Sequence, residues 1–132
     1  MSQSSKLRSL LAMICLTTMS ACSQPTESDV VGTYMAKGQQ GIDVLQVNSN
    51  HTYDLEFLSG DGRKFTQHGA WRFELTEAKP TLTFDGFVFG YQRGSVAAGQ
   101  PESWPAVIER TWNGRIRLPS PKPPYVYEKG IR

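Results

Sequence analysis

Histidine and cysteine are scarce in this chain, with two of each among 132 residues, and that scarcity removes most side-chain chemistry at the outset. Nucleophilic hydrolysis needs a Ser or Cys beside a His base that a third group orients. No Gly-x-Ser-x-Gly turn presents a serine, so no catalytic residue is assigned and the chain is not expected to be an enzyme. A zinc site needs three or four converging ligands, and the strand register derived below sends His51 and His68 to opposite faces. Neither a metal nor another cofactor is expected. No apolar run reaches the roughly 18 residues of a membrane-spanning helix, no ten-residue stretch follows a helical period, and no internal repeat is evident. Asp54 and Glu56 share one strand face, which is also how an ordinary solvated face reads.

The apolar sequence at the start is short. Lys6 and Arg8 precede Leu10, Leu11, Ala12, Met13, Ile14, Cys15 and Leu16, a basic region followed by a brief hydrophobic one, as in a secretory signal peptide. It ends in Met19-Ser20-Ala21-Cys22. This segment resembles the bacterial lipobox, in which small residues precede a cysteine that receives a diacylglyceryl thioether and becomes the new N-terminus; Met19 stands where Leu is usual. The resemblance implies that residues 1–21 are a lipoprotein signal peptide and that Cys22 is the lipidation site, acylated with palmitate-like chains. The alternative is ordinary cleavage near Ala21, which leaves a soluble protein with a lone thiol in an oxidising compartment. Ser23, rather than Asp, beside the cysteine resembles the sorting pattern of outer-membrane lipoproteins. That implies a place in the bacterial cell envelope, on the outer membrane and facing the periplasm.

With Cys15 discarded and Cys22 acylated, no disulfide is available and the fold must stand on its core. Residues 22–132 number 111, the size of one domain. Residues 22–29 are polar, contain Pro25 and read as a lipid-anchored flexible tether, leaving 30–132 as a single β-barrel-like domain. Without Lys6 and Arg8 the chain holds 12 basic and 12 acidic residues, so its net charge gives no ground for nucleic-acid binding. The distribution is uneven: residues 109–132 carry six cations against Glu109 and Glu128, a local charge of +4. Such asymmetry marks a candidate partner face.

From Val30 onward apolar residues alternate with polar ones, and turn signals recur at short intervals. The strands expected are about 30–37, 42–48, 51–58, 64–75, 81–85, 87–92, 106–112, 115–118 and 125–128. Register is fixed by requiring matched faces across each turn. A loop of Gly60-Asp61-Gly62 sets Phe57 opposite Phe65, Ser59 opposite Arg63 and Asp54 opposite His68, with His51 on the inward face beside Tyr53. A two-residue Asp85-Gly86 turn would set Phe84 against Phe87 and Leu82 against Phe89. Asn113-Gly114 signals a third hairpin. These features predict an all-β domain, an antiparallel up-and-down barrel or strongly curved meander of about 8–9 strands, because closure removes exposed edges. The proline-rich stretch 119–124 reads as an extended connection to a closing strand.

Val31-Gly32-Thr33-Tyr34, His51-Thr52-Tyr53 and Gly69-Ala70-Trp71 resemble the small lipocalin-like barrels found on bacterial lipoproteins. The resemblance implies that a glycine and an aromatic of the first strand plug one barrel end. Tyr53, Phe57, Trp71, Phe73, Phe84, Phe87, Phe89 and Tyr91 lie on the inferred inner face, either as core or as the lining of a cavity for one small ligand.

The last hairpin is the most distinctive surface. A two-residue Asn113-Gly114 turn pairs Trp112 with Arg115 and Arg110 with Arg117, all on one face. Opposed arginines repel unless an anion or a ring lies between them. The face is therefore either a self-satisfied surface ladder or a binding site for an anionic protein or envelope polymer. The functional expectation is a membrane-anchored envelope lipoprotein acting as a non-enzymatic binding module. Its alternative is an inhibitor or immunity-type lipoprotein that blocks a toxin or lytic enzyme in the periplasm.

Overall fold

The computed structural model describes residues 24–39, 41–89, 101–122 and 125–130; Cys22, Tyr91 and residues 94–100 of the small-residue loop lie outside them. A helical turn α1 (Glu27–Val30) precedes nine strands: β1 (Gly32–Gly38), β2 (Gly41–Val47), β3 (Thr52–Ser59), β4 (Lys64–Thr76), β5 (Lys79–Phe87), β6 (Glu102–Val107), β7 (Glu109–Arg110), β8 (Ile116–Pro119) and β9 (Val126–Lys129). The last three residues of the expected tether, 27–29, thus lie in a helical turn. The strands form one antiparallel, nearly closed barrel-shaped sheet in the order β6-β5-β4-β3-β2-β1-β9-β8-β7. Its two end strands, β6 and β7, are joined in the chain by Ile108 alone, so the polypeptide itself bridges the seam. Ile108 N donates to Pro80 O at 2.9 Å and its side chain is buried.

The meander β1 to β4 follows from alternation. In β3 the burial of Tyr53, Leu55 and Phe57 alternates with exposed Asp54, Glu56 and Leu58. The expected register across Gly60-Asp61-Gly62 is observed: Phe57 pairs with Phe65, Glu56 with Thr66 and Asp54 with His68. Ser59 N donates to Arg63 O at 2.8 Å and Gly62 N to Ser59 O at 3.0 Å. Gly62 takes φ +87°, the left-handed conformation this three-residue loop requires. His51 departs from the expected inward position. Its φ of +65° breaks the alternation before β3 begins, and its exposed ring meets the edge of Trp71 at 4.7 Å between centroids.

The Asp85-Gly86 hairpin is not formed, and 81–85 does not pair with 87–89, the described part of the strand expected at 87–92. One strand, β5, runs through both residues. Phe84 pairs with Trp71 of β4 on one side and Trp104 of β6 on the other, and Phe87 pairs with Glu102. Asp85 and Gly86 together oppose Ser103, a β-bulge with Gly86 at φ +64°. The bulge has a packing consequence: it turns both Phe84 and Phe87 inward, each fully buried, where a regular strand would send them to opposite faces. Side chains hold the interrupted ladder. Gln67 Nε2 donates to Gly86 O at 2.6 Å, its Oε1 accepts from Val88 N at 3.2 Å, and Tyr53 Oη donates to Asp85 O at 2.9 Å. The turn that enters β5 is Glu77-Ala78, with both residues in the left-handed region. The strand expected over 106–112 is instead two, β6 and β7.

Rings fill the described interior. Trp104 stacks on Phe84 at 4.9 Å and meets Phe87, Phe89 and Tyr127 at 4.8, 5.2 and 5.4 Å. Leu45, Leu82 and Leu118 complete the packing. The inner-face aromatics predicted from sequence are buried at Tyr53, Phe57, Trp71, Phe84, Phe87 and Phe89, and Phe73 packs against them half-buried. Over β1, which alone separates β9 from β2 in the sheet, Tyr127 Oη donates to Asp43 Oδ2 at 2.6 Å. Asp43 occupies a buried position in the alternation of β2, and this hydrogen bond helps to satisfy it.

Candidate functional site

One rim of the barrel is built from α1, the β7–β8 hairpin and the end of β9. Thr26 and Asp29 begin α1 with reciprocal contacts: Asp29 N donates to Thr26 O at 3.1 Å and Thr26 N to Asp29 Oδ2 at 2.9 Å. The Thr26 backbone bond is the foremost reason that the Asp29 carboxyl is held below its ordinary 3.8, with the Thr26 hydroxyl, Arg110 and Lys129 adding to it against burial. Val30 closes the turn with its side chain fully buried, and Tyr34 Oη donates to Val30 O at 2.7 Å. Burial, then the Asp29 charge, pushes the Tyr34 hydroxyl pKa upward, so it remains a donor. Three contacts clamp α1 to the rim. His51 Nε2 meets Glu27 Oε1 at 2.5 Å, Arg110 Nη2 meets Asp29 Oδ2 at 3.2 Å, and Lys129 Nζ donates to Asp29 O at 2.6 Å.

The hairpin register differs by one residue from the sequence expectation. Thr111 N donates to Arg115 O at 2.8 Å, Gly114 N donates to Thr111 O at 2.9 Å, and Gly114 has φ +83°. The loop is therefore Trp112-Asn113-Gly114, the same form as at 60–62, and Thr111 bonds Asn113 Oδ1 through its hydroxyl. Arg110 pairs with Ile116 and Glu109 with Arg117. The reason is Ile108. A two-residue turn would place it on the face opposite Ile116 and Leu118, whereas the observed register puts all three in the core, where they are buried.

The four residues expected on one face are consequently divided. Trp112 stands at the loop tip, 98 % exposed. Arg110 belongs to the inward face but lies at the rim, where it reaches Asp29. Arg115 and Arg117 point outward; Arg115 Nη1 meets Glu128 Oε1 at 3.1 Å, and Arg117 stands between Glu109 and Glu128 in the ladder. The structure brings Arg110 and Arg115 together along an open groove of about 560 Å³, with Asp29, Asn113 and Lys129 among its lining residues. Arg117 is not part of that groove. Sequence reasoning missed Asp29 and Lys129, because their place at the rim depends on how α1 and β9 dock. The groove's charged lining is three cations against one carboxylate, suited to an anion with hydrogen-bond acceptors.

Elsewhere Asp54 and His68 form an exposed cross-strand pair at 2.7 Å, and that bond is the first cause of the lowered Asp54 pKa, with Asn48 second. Among the described residues no group of three His, Cys, Asp or Glu side chains is placed to hold a metal, and no helix is long and apolar enough to cross a membrane. Compared with protein-family models, with curated proteins and with solved structures, the chain has no match in any of the three.

Proposed function

We propose that this chain is an envelope lipoprotein anchored through Cys22, on the outer membrane facing the periplasm, whose barrel serves as a non-enzymatic binding module for an anionic partner. The contact surface is the rim carrying Trp112, Arg110 and Arg115, and Arg117 adds to its field from the outer face. The observation that carries this reading is Trp112, 98 % exposed at the tip of a structured loop beside a groove lined by Arg110, Arg115 and Lys129. An indole held in water forfeits the burial that stabilises most tryptophans, and tryptophan with arginine is the pair of residue types most enriched at binding hot spots. The close ring packing around Trp104 supports an outer-surface contact over a ligand held inside the barrel.

The test compares capture of envelope components, protein and polymer, by the acylated wild type and by Trp112→Ala. Because Trp112 is almost fully exposed, the substitution should leave stability within about 0.5 kcal/mol. It should weaken capture by roughly 30-fold, the hot-spot scale of about 2 kcal/mol, and capture by the wild type should fall as salt rises. Unchanged capture and unchanged salt dependence in Trp112→Ala, and again in a variant with Arg115 and Arg117 both changed to Glu, would place the function on another surface.

A further inference from the structure

We propose that the anionic partner of this rim is the phosphate headgroup layer of the membrane that holds the anchor, so that the barrel docks rim-down with Trp112 at the interface. The inference rests on the acylation of Cys22 proposed above and names the partner of that same surface. Its first support is distance along the chain. Glu27 lies five chain steps beyond Cys22, with four residues between them, and at full extension those steps span about 18 Å. The α1 turn that follows them is fastened to the rim by the Arg110–Asp29 and Lys129–Asp29 contacts. Ser28 and Asp29 line the same groove as Arg110, Asn113, Gly114 and Arg115. The α1 turn and the Trp112 loop therefore belong to one end of the barrel, and a leash this short from an acylated Cys22 would keep that end close to the bilayer.

The chemistry of the rim matches what lies there. An amphipathic indole partitions to the headgroup level, its ring toward the acyl chains and its N–H toward water. Arginine and lysine beside it meet lipid phosphates, for which a guanidinium is a two-point donor. The groove is open, as a headgroup layer requires and an enclosed ligand site does not. Acyl chains at Cys22 supply most of the attachment energy. The rim contributes orientation: it converts a tethered barrel, free to swing, into one with its opposite end facing the periplasm.

The experiment uses the acylated protein reconstituted into vesicles of phosphatidylcholine alone or mixed with phosphatidylglycerol, with and without brominated acyl chains that quench nearby indoles. Trp71 and Trp104 are each 2 % exposed, so the lipid-dependent change reports Trp112. We expect bromolipid quenching in the phosphatidylglycerol vesicles, loss of acrylamide access there, and loss of both responses in Trp112→Ala. The unacylated Cys22→Ser chain should still partition onto phosphatidylglycerol vesicles, and adding Arg115→Gln should lower that partition about five-fold, the scale for one cation near an anionic surface. If Trp112 of the acylated protein is equally open to acrylamide in both vesicle types, the rim does not dock and the inference is overturned. It is overturned equally if Trp112 is shielded by poly-glutamate or by peptidoglycan sacculi but not by vesicles, which would assign the rim to an acidic protein or polymer. Mass analysis separates the two claims: acylated Cys22 with Trp112 left in water preserves the anchor and removes the docking, whereas unmodified Cys22 with Trp112 quenched by phosphatidylglycerol vesicles does the reverse.

Discussion

Trp71 and Trp104 are both 2 % exposed, yet their indole N–H groups are treated differently. Trp71 Nε1 donates to Asn48 O at 2.9 Å, whereas the buried Trp104 Nε1 has no partner among the described residues. Replacing either by Phe removes a similar volume, but only Trp71→Phe breaks a hydrogen bond and leaves a carbonyl behind. Trp71→Phe should therefore cost about 1 kcal/mol more than Trp104→Phe in urea denaturation; equal losses would show that the bond contributes nothing. Carboxylates give a second test at this scale. The pKa values of Asp29, Asp54 and Asp61 are lowered from 3.8, chiefly by hydrogen bonds from Thr26, His68 and Arg63 respectively. A carboxyl whose folded pKa is depressed adds stability above its unfolded pKa, and that contribution disappears as pH falls through the folded value. Thermal stability should hold down to about pH 4 and decline below it. Asp54→Asn should be less stable than wild type near neutral pH and indistinguishable from it in strong acid. A difference that persists in acid would mean its origin is packing and not charge.

At the scale of elements, turns decided more than strands did. The β4–β5 turn places Glu77 at φ +51° and Ala78 at φ +62°, although neither residue favours the left-handed region. Substituting Asn-Gly at 77–78 keeps the backbone and relieves the strain, so the double variant should gain about 1–2 kcal/mol, read as a raised denaturation midpoint. A loss would show that the Glu77 or Ala78 side chain makes a contact worth more than the strain. The turn was not legible because its residues carry no turn chemistry. Two other glycine pairs carried clear chemistry whose use was ambiguous. Asp85-Gly86 suits a hairpin and a bulge equally, since both need a residue at positive φ. Asn113-Gly114 suits a two-residue or a three-residue loop. The choice there was present in the sequence, in the parity of Ile108 relative to Ile116 and Leu118.

For the whole molecule, closure is a property of chain order. The end strands of the sheet, β6 and β7, are consecutive, so Ile108 carries the chain from one edge to the other, and Trp104 of β6 reaches Tyr127 of β9 across the interior. Edges that would otherwise invite pairing with another chain are thereby short or joined. The same closure leaves α1 at one end of the barrel, so the proposed anchor at Cys22 would bear on orientation. Cys22→Ser should abolish labelling by palmitate and leave only the salt-sensitive rim contact, so that the protein is released from membranes by a salt wash. A variant that is still labelled and still fractionates with membranes would remove Cys22 as the attachment point.

Sequence by itself determined the all-β class, the alternation that buries Tyr53, Leu55 and Phe57, and the register across Gly60-Asp61-Gly62, because each rests on neighbours a few residues apart. It also singled out Trp112 and the three arginines as unusual. Tertiary structure decided what those residues share. Filling the barrel around Trp104 required Phe84 and Phe87 on one face, and that demand turned Asp85-Gly86 into a bulge. Burying Ile108 beside Ile116 moved the last hairpin by one residue and put Arg110 on the opposite strand face from Arg115 and Arg117, with Arg110 and Arg115 still sharing the rim groove. The groove then arose from α1 and β9, elements about 100 residues apart in the chain, meeting at Asp29 and Lys129. Local chemistry offers several backbone solutions at nearly equal cost, and the burial of large side chains selects among them.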